Sequence, residues 1–354
     1  MIPIKTILDM YLKDHSIIYG YYGYGNFGDE LIFNNVVQYI KYKKFLDVEV
    51  YYNNKNIFSQ IHPDISDHSN KLVNIKQLFY NMFFSKNIYI CGGGLFGLDS
   101  NIKFLIFSLL VATIKLLINI DVYLISVGYY NSTNKLGHMS AKVLSSISKV
   151  VCVRDEESFK NFKRILKSDN VLLSEDIVFL NNTLAHVEII RANKYLPYEQ
   201  SSTKQIVFTL RDFNDMKLQL RFISIIERVV LSLCENEKNI HIHLCIPSIK
   251  EYDTHSHIFA EMLKEKYNVD LFTMSDSIIG FINEFKSKKP EKAVLVQYHL
   301  QLVAHKLIED SNEKYLAIIY DNKNYELLRL LDWKNIVHIN DPELENKILK
   351  YIRA

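Results

Sequence analysis

Short apolar runs alternate with amphipathic stretches along most of this chain. "SIIYGYY" (Ser16–Tyr22) is apolar and rich in β-branched and aromatic residues, and it runs into a glycine turn. "GDELIFNNVVQYIKY" follows, where Leu31, Val36, Val37 and Ile40 can share one helical face. The same alternation continues. Strands are predicted at Val48–Tyr52, Asn87–Gly94, Asp121–Gly128 and Val150–Asp155, with "VLLSED" leading out of the series. Helices are predicted over 103–119, over "HMSAKVLSSISK" and over "EESFKNFKRIL". Strands separated by helices of this length predict βαβ units and a parallel sheet.

The rhythm breaks near 181–204, where polar residues and a proline replace it. It then restarts with strand candidates at "QIVFTLRD", Ile240–Ser248, "VDLFTM", Lys292–His299 and Tyr315–Asp321. Helices are predicted over 219–235 and "IIGFINEF". No short repeat or low-complexity tract interrupts the pattern. The chain therefore reads as α/β, with two Rossmann-like domains at 1–185 and 204–354 and a linker at about 186–203. Two such domains facing across a cleft would bind a ligand there.

Composition adds mostly exclusions. At 354 residues, 48% hydrophobic and 23% charged, the chain suits two ordinary cores. A net charge of +2 gives no strong pull toward nucleic acid or an anionic membrane. Cys91, Cys152, Cys234 and Cys245 are far apart, so no zinc knuckle or disulfide framework is readable. They read as small buried core residues. No secretory signal is visible, and a cytoplasmic location is expected. The most membrane-like run, Phe104–Ile114, is closed by Lys103 and Lys115 at about half the roughly 20 residues a span needs. It reads as a buried helix, with peripheral membrane contact at most.

In open α/β sheets, ligands bind beyond the carboxyl ends of strands, so the turns there carry the chemistry. Gly23-Tyr24-Gly25-Asn26-Phe27-Gly28 matches a dinucleotide G-x-G-x-x-G. Yet Asp29 and Glu30 open the next helix, where carboxylates would repel a pyrophosphate. The glycines can equally just permit a tight turn, with the acids complementing the helix dipole. Gly92, Gly93 and Gly94 end another strand and can offer N–H groups to an anion, or only form a positive-φ turn. Arg211 follows a strand and can fork onto a carboxylate or phosphate, or enter an ion pair with a neighbour. His299 sits where an apolar strand meets a helix and can act as a general acid or base, or be structural. His241 and His243 alternate on one strand face, but no carboxylate or third histidine stands beside them in the sequence, so no metal site is expected.

Taken in order, these stretches resemble the polysaccharide pyruvyl transferase family. "GYYGYGNFGDE" resembles its G-x-x-N-x-G-D-E signature, and "GGGLFG" its second glycine turn. "SVGYY" resembles its third turn without the usual proline, and "VVCVRDEES" its V-x-V-R-D-x-x-S stretch. "SEDIVF", with Asp176, resembles a following acidic turn, "TLRDF" an L-R strand end, and "YDNK" a Y-D-x-K motif. Where the family usually reads M-R-L-H, this chain reads Val296-Gln297-Tyr298-His299, keeping the histidine but not the arginine.

The resemblance implies a GT-B-like fold and transfer of a pyruvyl group from phosphoenolpyruvate to sugar hydroxyls as a ketal, in surface polysaccharide biosynthesis. It implies His299 as acid or phosphate-side proton donor. Arg211, Gln297, Lys323, Gly93 and Gly94 would hold the donor, with Lys306 a further candidate cation. Asp29 and Glu30 would act on the acceptor, and Gly25 and Asn26 would bind it. The acceptor would be a sugar or lipid-linked oligosaccharide. No metal or cofactor is demanded, and nucleic acid is not expected as a partner. A glycosyltransferase using a nucleotide sugar, or a catalytically lapsed glycan-binding relative, remain the competing readings.

Overall fold

Runs of β-branched residues flanked by glycine turns form the strands of two parallel sheets. The computed structural model describes residues 1–45, 47–63, 72–93, 95–96, 101–130, 134–166, 170–180, 203–213, 215–274, 277–307, 314–320, 325, 328 and 332–354. Contacts divide the chain into two units. One is Met1–Tyr24 with Asp29–Thr183, and the other is Gly25–Gly28 with Leu184–Ala354. Apart from Thr203, the linker expected at 186–203 lies outside the described residues.

The first unit carries strands β1 (Ser16–Tyr19), β2 (Val48–Tyr51), β3 (Leu72–Val73), β4 (Asn87–Cys91), β5 (Asp121–Val127), β6 (Val150–Val153) and β7 (Val171–Leu173). Its helices are α1 (Ile4–Tyr11), α2 (Phe27–Lys43, in this unit from Asp29 onward), α3 (Lys55–Ile61), α4 (Ile75–Met82), α5 (Ile102–Ile118), α6 (Lys135–Ile147) and α7 (Glu156–Leu166). Strand order is β3-β2-β1-β4-β5-β6-β7, parallel throughout. The order reverses between β1 and β4. Ile17, Ile88, Ile90, Leu124 and Val151 from the sheet pack with Leu78, Phe107, Val111 and Leu144 from the helices.

The second unit carries β8 (Lys204–Thr209), α8 (Met216–Asn236), β9 (Ile240–Ile246), α9 (Thr254–Tyr267), β10 (Asp270–Thr273) and α10 (Ile278–Ser287). It continues with β11 (Lys292–Leu295), α11 (Tyr298–Leu307), β12 (Tyr315–Ile319), β13 (Ile336–His338) and α12 (Leu344–Arg353). Its sheet runs β10-β9-β8-β11-β12-β13, again parallel, and reverses between β8 and β11. Ile206, Phe208, Leu244 and Ile318 pack here with Phe222, Ile226, Val229 and Ile348.

In two helices the burial differs from the sequence reading. Helix α2 buries Ile32, Phe33, Asn34, Asn35 and Tyr39 as well as the expected Leu31, Val36, Val37 and Ile40, so it is enclosed on more than one face. Helix α5, expected to be buried, is buried along one face only. Phe104, Phe107, Val111 and Ile114 point inward, while Ile106, Leu109, Leu116 and Leu117 are exposed. Burial depends on which neighbours cover a helix, and apolarity alone does not supply them. Among the described residues, no helix is long and apolar enough to cross a membrane.

The "VVCVRDEES" stretch and the "SED" turn join inside the first unit. Arg154 donates from Nη1 to Asp176 Oδ2 at 2.8 Å, with side chains 0% and 1% exposed. Its Nε and Nη2 also donate to the Tyr130 hydroxyl at 3.4 and 3.3 Å, which donates in turn to Asp155 Oδ2 at 2.9 Å. Asp155 Oδ1 accepts from Ser158 N–H and so caps α7, while Asp176 Oδ1 accepts from Val178 N–H. A buried charge is tolerable only when paired and hydrogen-bonded, and the partners named here come from the same unit.

Removing one partner strands the other. Arg154→Met is expected to cost about 3–5 kcal/mol in urea unfolding, and the double change Arg154→Met with Asp176→Leu to recover much of it. Equal costs for the single and double variants would show that the pair is not the source of the loss.

Candidate active site

The second sheet reverses between β8 and β11, and a parallel sheet places its ligand at that point, beyond the strand ends. Thr209 ties the two strands there: its hydroxyl accepts from Val296 N–H at 2.7 Å and donates to Val294 O at 3.3 Å. Just past this tie stand Arg211 on one side and Gln297 and His299 on the other. The sequence separates them by more than 80 residues, and the crossover topology brings them to one edge.

Arg211 is half-buried and held from several directions. Its guanidinium carbon lies 4.7 Å from the Tyr320 ring centroid and 5.6 Å from that of Phe213. Nη1 donates to the Tyr320 hydroxyl, and Nε to the Asp212 carbonyl at 3.2 Å. A guanidinium is a planar fork of donors, shaped to meet a carboxylate or a phosphate. The neighbouring carboxylate does not neutralise it through a direct ion pair. Asp212 instead turns to the start of α9, accepting from His255 N–H at 2.9 Å and Ser256 N–H at 2.7 Å. Burial works to raise its pKa, but these backbone bonds and the His255 and Ser256 side chains outweigh that and hold it low.

Behind Arg211 lies Asp253, which accepts from Asp212 N–H at 3.0 Å and from the Ser248 hydroxyl. Burial raises its pKa, although the Arg211 charge and both hydrogen bonds pull the other way. Asp253 and Ser248 follow β9, and Tyr320 follows β12. The sequence reading gives none of the three a role of its own, although all follow strand ends, which is the signal that finds them.

Gln297 and Asn26 share one fixed arrangement. Asn26 Oδ1 accepts from Gly28 N–H at 3.3 Å and from Gln297 Nε2 at 3.0 Å, while Asn26 Nδ2 donates to the Tyr252 hydroxyl at 3.3 Å. A backbone donor cannot be exchanged for an acceptor, so Gly28 N–H sets the orientation of both amides. Gln297 Oε1 is thereby left buried without a hydrogen-bond partner among the described residues. Such an acceptor calls for a hydroxyl or another donor.

The Gly25–Gly28 segment belongs to this unit by its contacts. Ile249 N–H donates to Gly25 O at 3.0 Å, and Phe27 N–H to Pro247 O at 3.2 Å. Gly25 and Asn26, expected on the acceptor side, are thus anchored among the residues expected to hold the donor. His299 is 8% exposed, and its ring lies on Gly28 so closely that an added Cβ would fall 1.7 Å from Nδ1. The Tyr298 ring meets it edge-on at 4.9 Å.

The first unit's reversal, between β1 and β4, gathers the remaining described candidates. Gly93 has φ +69°, and a Cβ there would meet Asp29 Oδ1 at 3.0 Å. The expected anion cradle therefore faces a carboxylate, which disfavours a phosphate at Gly93. Glu30 is fully buried under the glycine turn. Its Oε1 accepts from Gly23 N–H at 2.9 Å, and its Oε2 accepts from the Tyr52 hydroxyl at 2.8 Å and lies 3.0 Å from His62 Nε2. Both oxygens make contacts inside the unit, so Glu30 braces the glycine turn. Gly94, Lys323 and the Lys306 side chain lie outside the described residues.

His241 and His243 sit at the opposite, amino-terminal edge of the second sheet. Here the sequence reading is corrected. Asp270, on β10, pairs in register with His243 and brings the carboxylate that the linear sequence does not place beside them. Burial first, then the charges of His241 and Lys288, push the His243 pKa down to about 4, so its imidazole is neutral at pH 7.

A family profile described as polysaccharide pyruvyl transferase matches residues 26–346. No curated protein sequence matches. Among solved structures, the chain is similar to the UDP-GlcNAc 2-epimerase of Methanocaldococcus jannaschii, in complex with UDP-GlcNAc and UDP. That likeness has 14% identity and TM-score 0.61, and covers 96% of this chain and 91% of that one. The Neisseria meningitidis UDP-GlcNAc 2-epimerase bound to UDP-GlcNAc gives 14% identity, TM-score 0.62 and coverage of 96% and 90%. A UDP-forming trehalose-phosphate synthase from Burkholderia xenovorans gives 8%, 0.56, 96% and 90%. At these identities the likeness establishes the fold, which is GT-B.

Gly28→Ala tests the packing of His299. Overfilling this contact is expected to cost about 1–3 kcal/mol in thermal or urea unfolding. In histidine-labelled NMR spectra the His299 ring signals should shift while those of His241 stay in place. An unmoved His299 signal would mean that the ring does not rest on Gly28.

Proposed function

Because the chain belongs to the polysaccharide pyruvyl transferase family, we propose that it transfers a pyruvyl group from phosphoenolpyruvate to two hydroxyls of a sugar, forming a ketal during surface polysaccharide synthesis. The observation that carries this reading is Arg211, fixed over Tyr320 and Phe213 on the same strand-end edge as Gln297 and His299. Phosphoenolpyruvate carries a carboxylate and a phosphate, and a fork-shaped cation there matches either group.

The chemistry divides into proton transfers and one displacement. A proton is added to the methylene carbon, which leaves positive charge on the central carbon. One sugar hydroxyl attacks that carbon, the bond to the phosphate oxygen breaks and inorganic phosphate leaves. The second hydroxyl closes the ketal. His299 is the proposed proton donor, either to the methylene carbon or to the departing phosphate. Gln297 carries no charge where the family usually has arginine, so Arg211 supplies the charge in this proposal. The buried Gln297 Oε1 is an acceptor, suited to a hydroxyl or a protonated phosphate oxygen and not to an anionic one. Asp29, half-buried against Gly93, is the proposed base or binding group for the acceptor sugar. Glu30 is not assigned to substrate, since both of its oxygens are occupied.

Phosphate release is the direct assay. The protein is incubated with phosphoenolpyruvate and a panel of acceptor sugars, and separately with nucleotide sugars. Sugar-dependent phosphate release, with the matching mass gain on the sugar, is the expected result. Release of a nucleoside diphosphate from a nucleotide sugar would replace this reading with glycosyl transfer. Binding without turnover of either donor would favour a lapsed glycan-binding protein. Arg211→Ala is expected to weaken phosphoenolpyruvate binding by about tenfold or more, the loss of one charged hydrogen bond. His299→Ala is expected to lower turnover roughly 100-fold or more while donor affinity holds. Full turnover in His299→Ala would remove it from the chemistry.

A further inference from the structure

We infer that His241, His243 and Asp270 form a binding site for a divalent transition ion of the zinc class, at the amino-terminal edge of the second sheet. The site is separate from the carboxyl-terminal edge that carries Arg211 and His299, and it does not depend on the proposed reaction.

Two histidines at i and i+2 on β9 point to one face, and Asp270 begins β10 directly across from His243. His241 Nε2 lies 2.9 Å from Asp270 Oδ2, and His243 Nδ1 lies 3.4 Å from the same oxygen. All the potential ligand atoms lie within 4.8 Å of one another. Nitrogen and oxygen ligands about 2.0–2.2 Å from a tetrahedral ion stand about 3.3–3.5 Å apart, so small side-chain rotations close the set.

The decisive detail is the tautomer of His243. Gln205 Nε2 donates to Thr203 O at 3.0 Å, which turns Gln205 Oε1 toward His243. His243 Nε2 lies 2.7 Å from that oxygen and must carry the hydrogen. Its Nδ1 then holds a lone pair. Nδ1 makes no hydrogen bond with any described residue, although the residue is only 4% exposed. A buried lone pair facing a carboxylate oxygen is an unfavourable arrangement that a cation between them reverses. A hydrogen-bond acceptor on the far nitrogen is also how a metal-binding histidine is oriented.

Lys288 is the nearby positive group that would oppose an ion. It is drawn toward Glu284 at 3.7 Å and sits 5.5 Å over the Phe272 ring. Two imidazoles and one carboxylate favour zinc-class ions over calcium or magnesium, which prefer all-oxygen shells. Three protein ligands leave a coordination position for water. Bound there, an ion would pin β10, the edge strand, to β9.

The test uses the full chain without a histidine tag, stripped with a chelator. It is titrated with Zn²⁺ by calorimetry and with Co²⁺ by visible absorption. One ion per chain is expected, with the intense bands of low-coordinate Co²⁺ and a higher unfolding temperature in Zn²⁺. His241→Ala and Asp270→Asn change exposed or half-exposed residues and should keep the fold. Each is expected to weaken binding by about tenfold or more and to abolish the Zn²⁺ stabilisation. Gln205→Leu, which touches no ion, is expected to weaken binding by about 10–100-fold. The assignment is overturned if the natural chain binds no ion, or if either ligand variant binds as tightly as the natural chain.

Discussion

In a parallel sheet every strand points the same way, so every following turn lies on one edge. That constraint organises the chemistry of this protein. In the second sheet it brings Arg211, Ser248, Gln297 and Tyr320 to the same side, although they follow four different strands. The reversal of strand order between β8 and β11 separates the helices on either side and makes room there. The Thr209 hydroxyl, bonded to both Val294 and Val296, fixes how the two central strand ends meet. The first sheet repeats the scheme, with the glycine turns after β1 and β4 at its own reversal.

The family-like motifs divide into two kinds once their surroundings are known. Arg154, Asp155, Ser158 and Asp176 are buried together and bonded to one another or to backbone, so they are scaffold. Glu30 is scaffold too, although Asp29 beside it is half-buried against Gly93. A polar residue in a motif can be required because it reacts, or because a buried polar group without a partner is costly. Adjacent residues in one motif can fall on either side of that line. The change of facing along a helix is enough to separate Asp29 from Glu30.

Much of the architecture was legible because its signals are local. Strand runs such as Asn87–Cys91 and Lys292–Leu295 are continuously apolar after their first residue, as strands covered on both faces tend to be. The short strands Leu72–Val73 and Ile336–His338 were not read, since two or three residues carry no usable period. The outward apolar face of α5 was not readable either. An uninterrupted apolar run does not say which side its neighbours cover.

The sequence by itself determined the α/β class, the two parallel-sheet units, the glycine turns and the family, because each rests on short-range pattern or on ordered motifs. It also brought forward Arg211 and His299 through the rule that strand ends carry ligands. Only the tertiary structure decided what those residues touch. Gly28 N–H sets the Asn26 amide, which sets Gln297 and leaves its oxygen as the buried acceptor. Strand register carries Asp270 to His243, turning a pair of histidines into a three-ligand set. Hydrogen bonds and coordination depend on separations of about 3 Å, and residues distant in sequence reach those separations only when strand order and register are set.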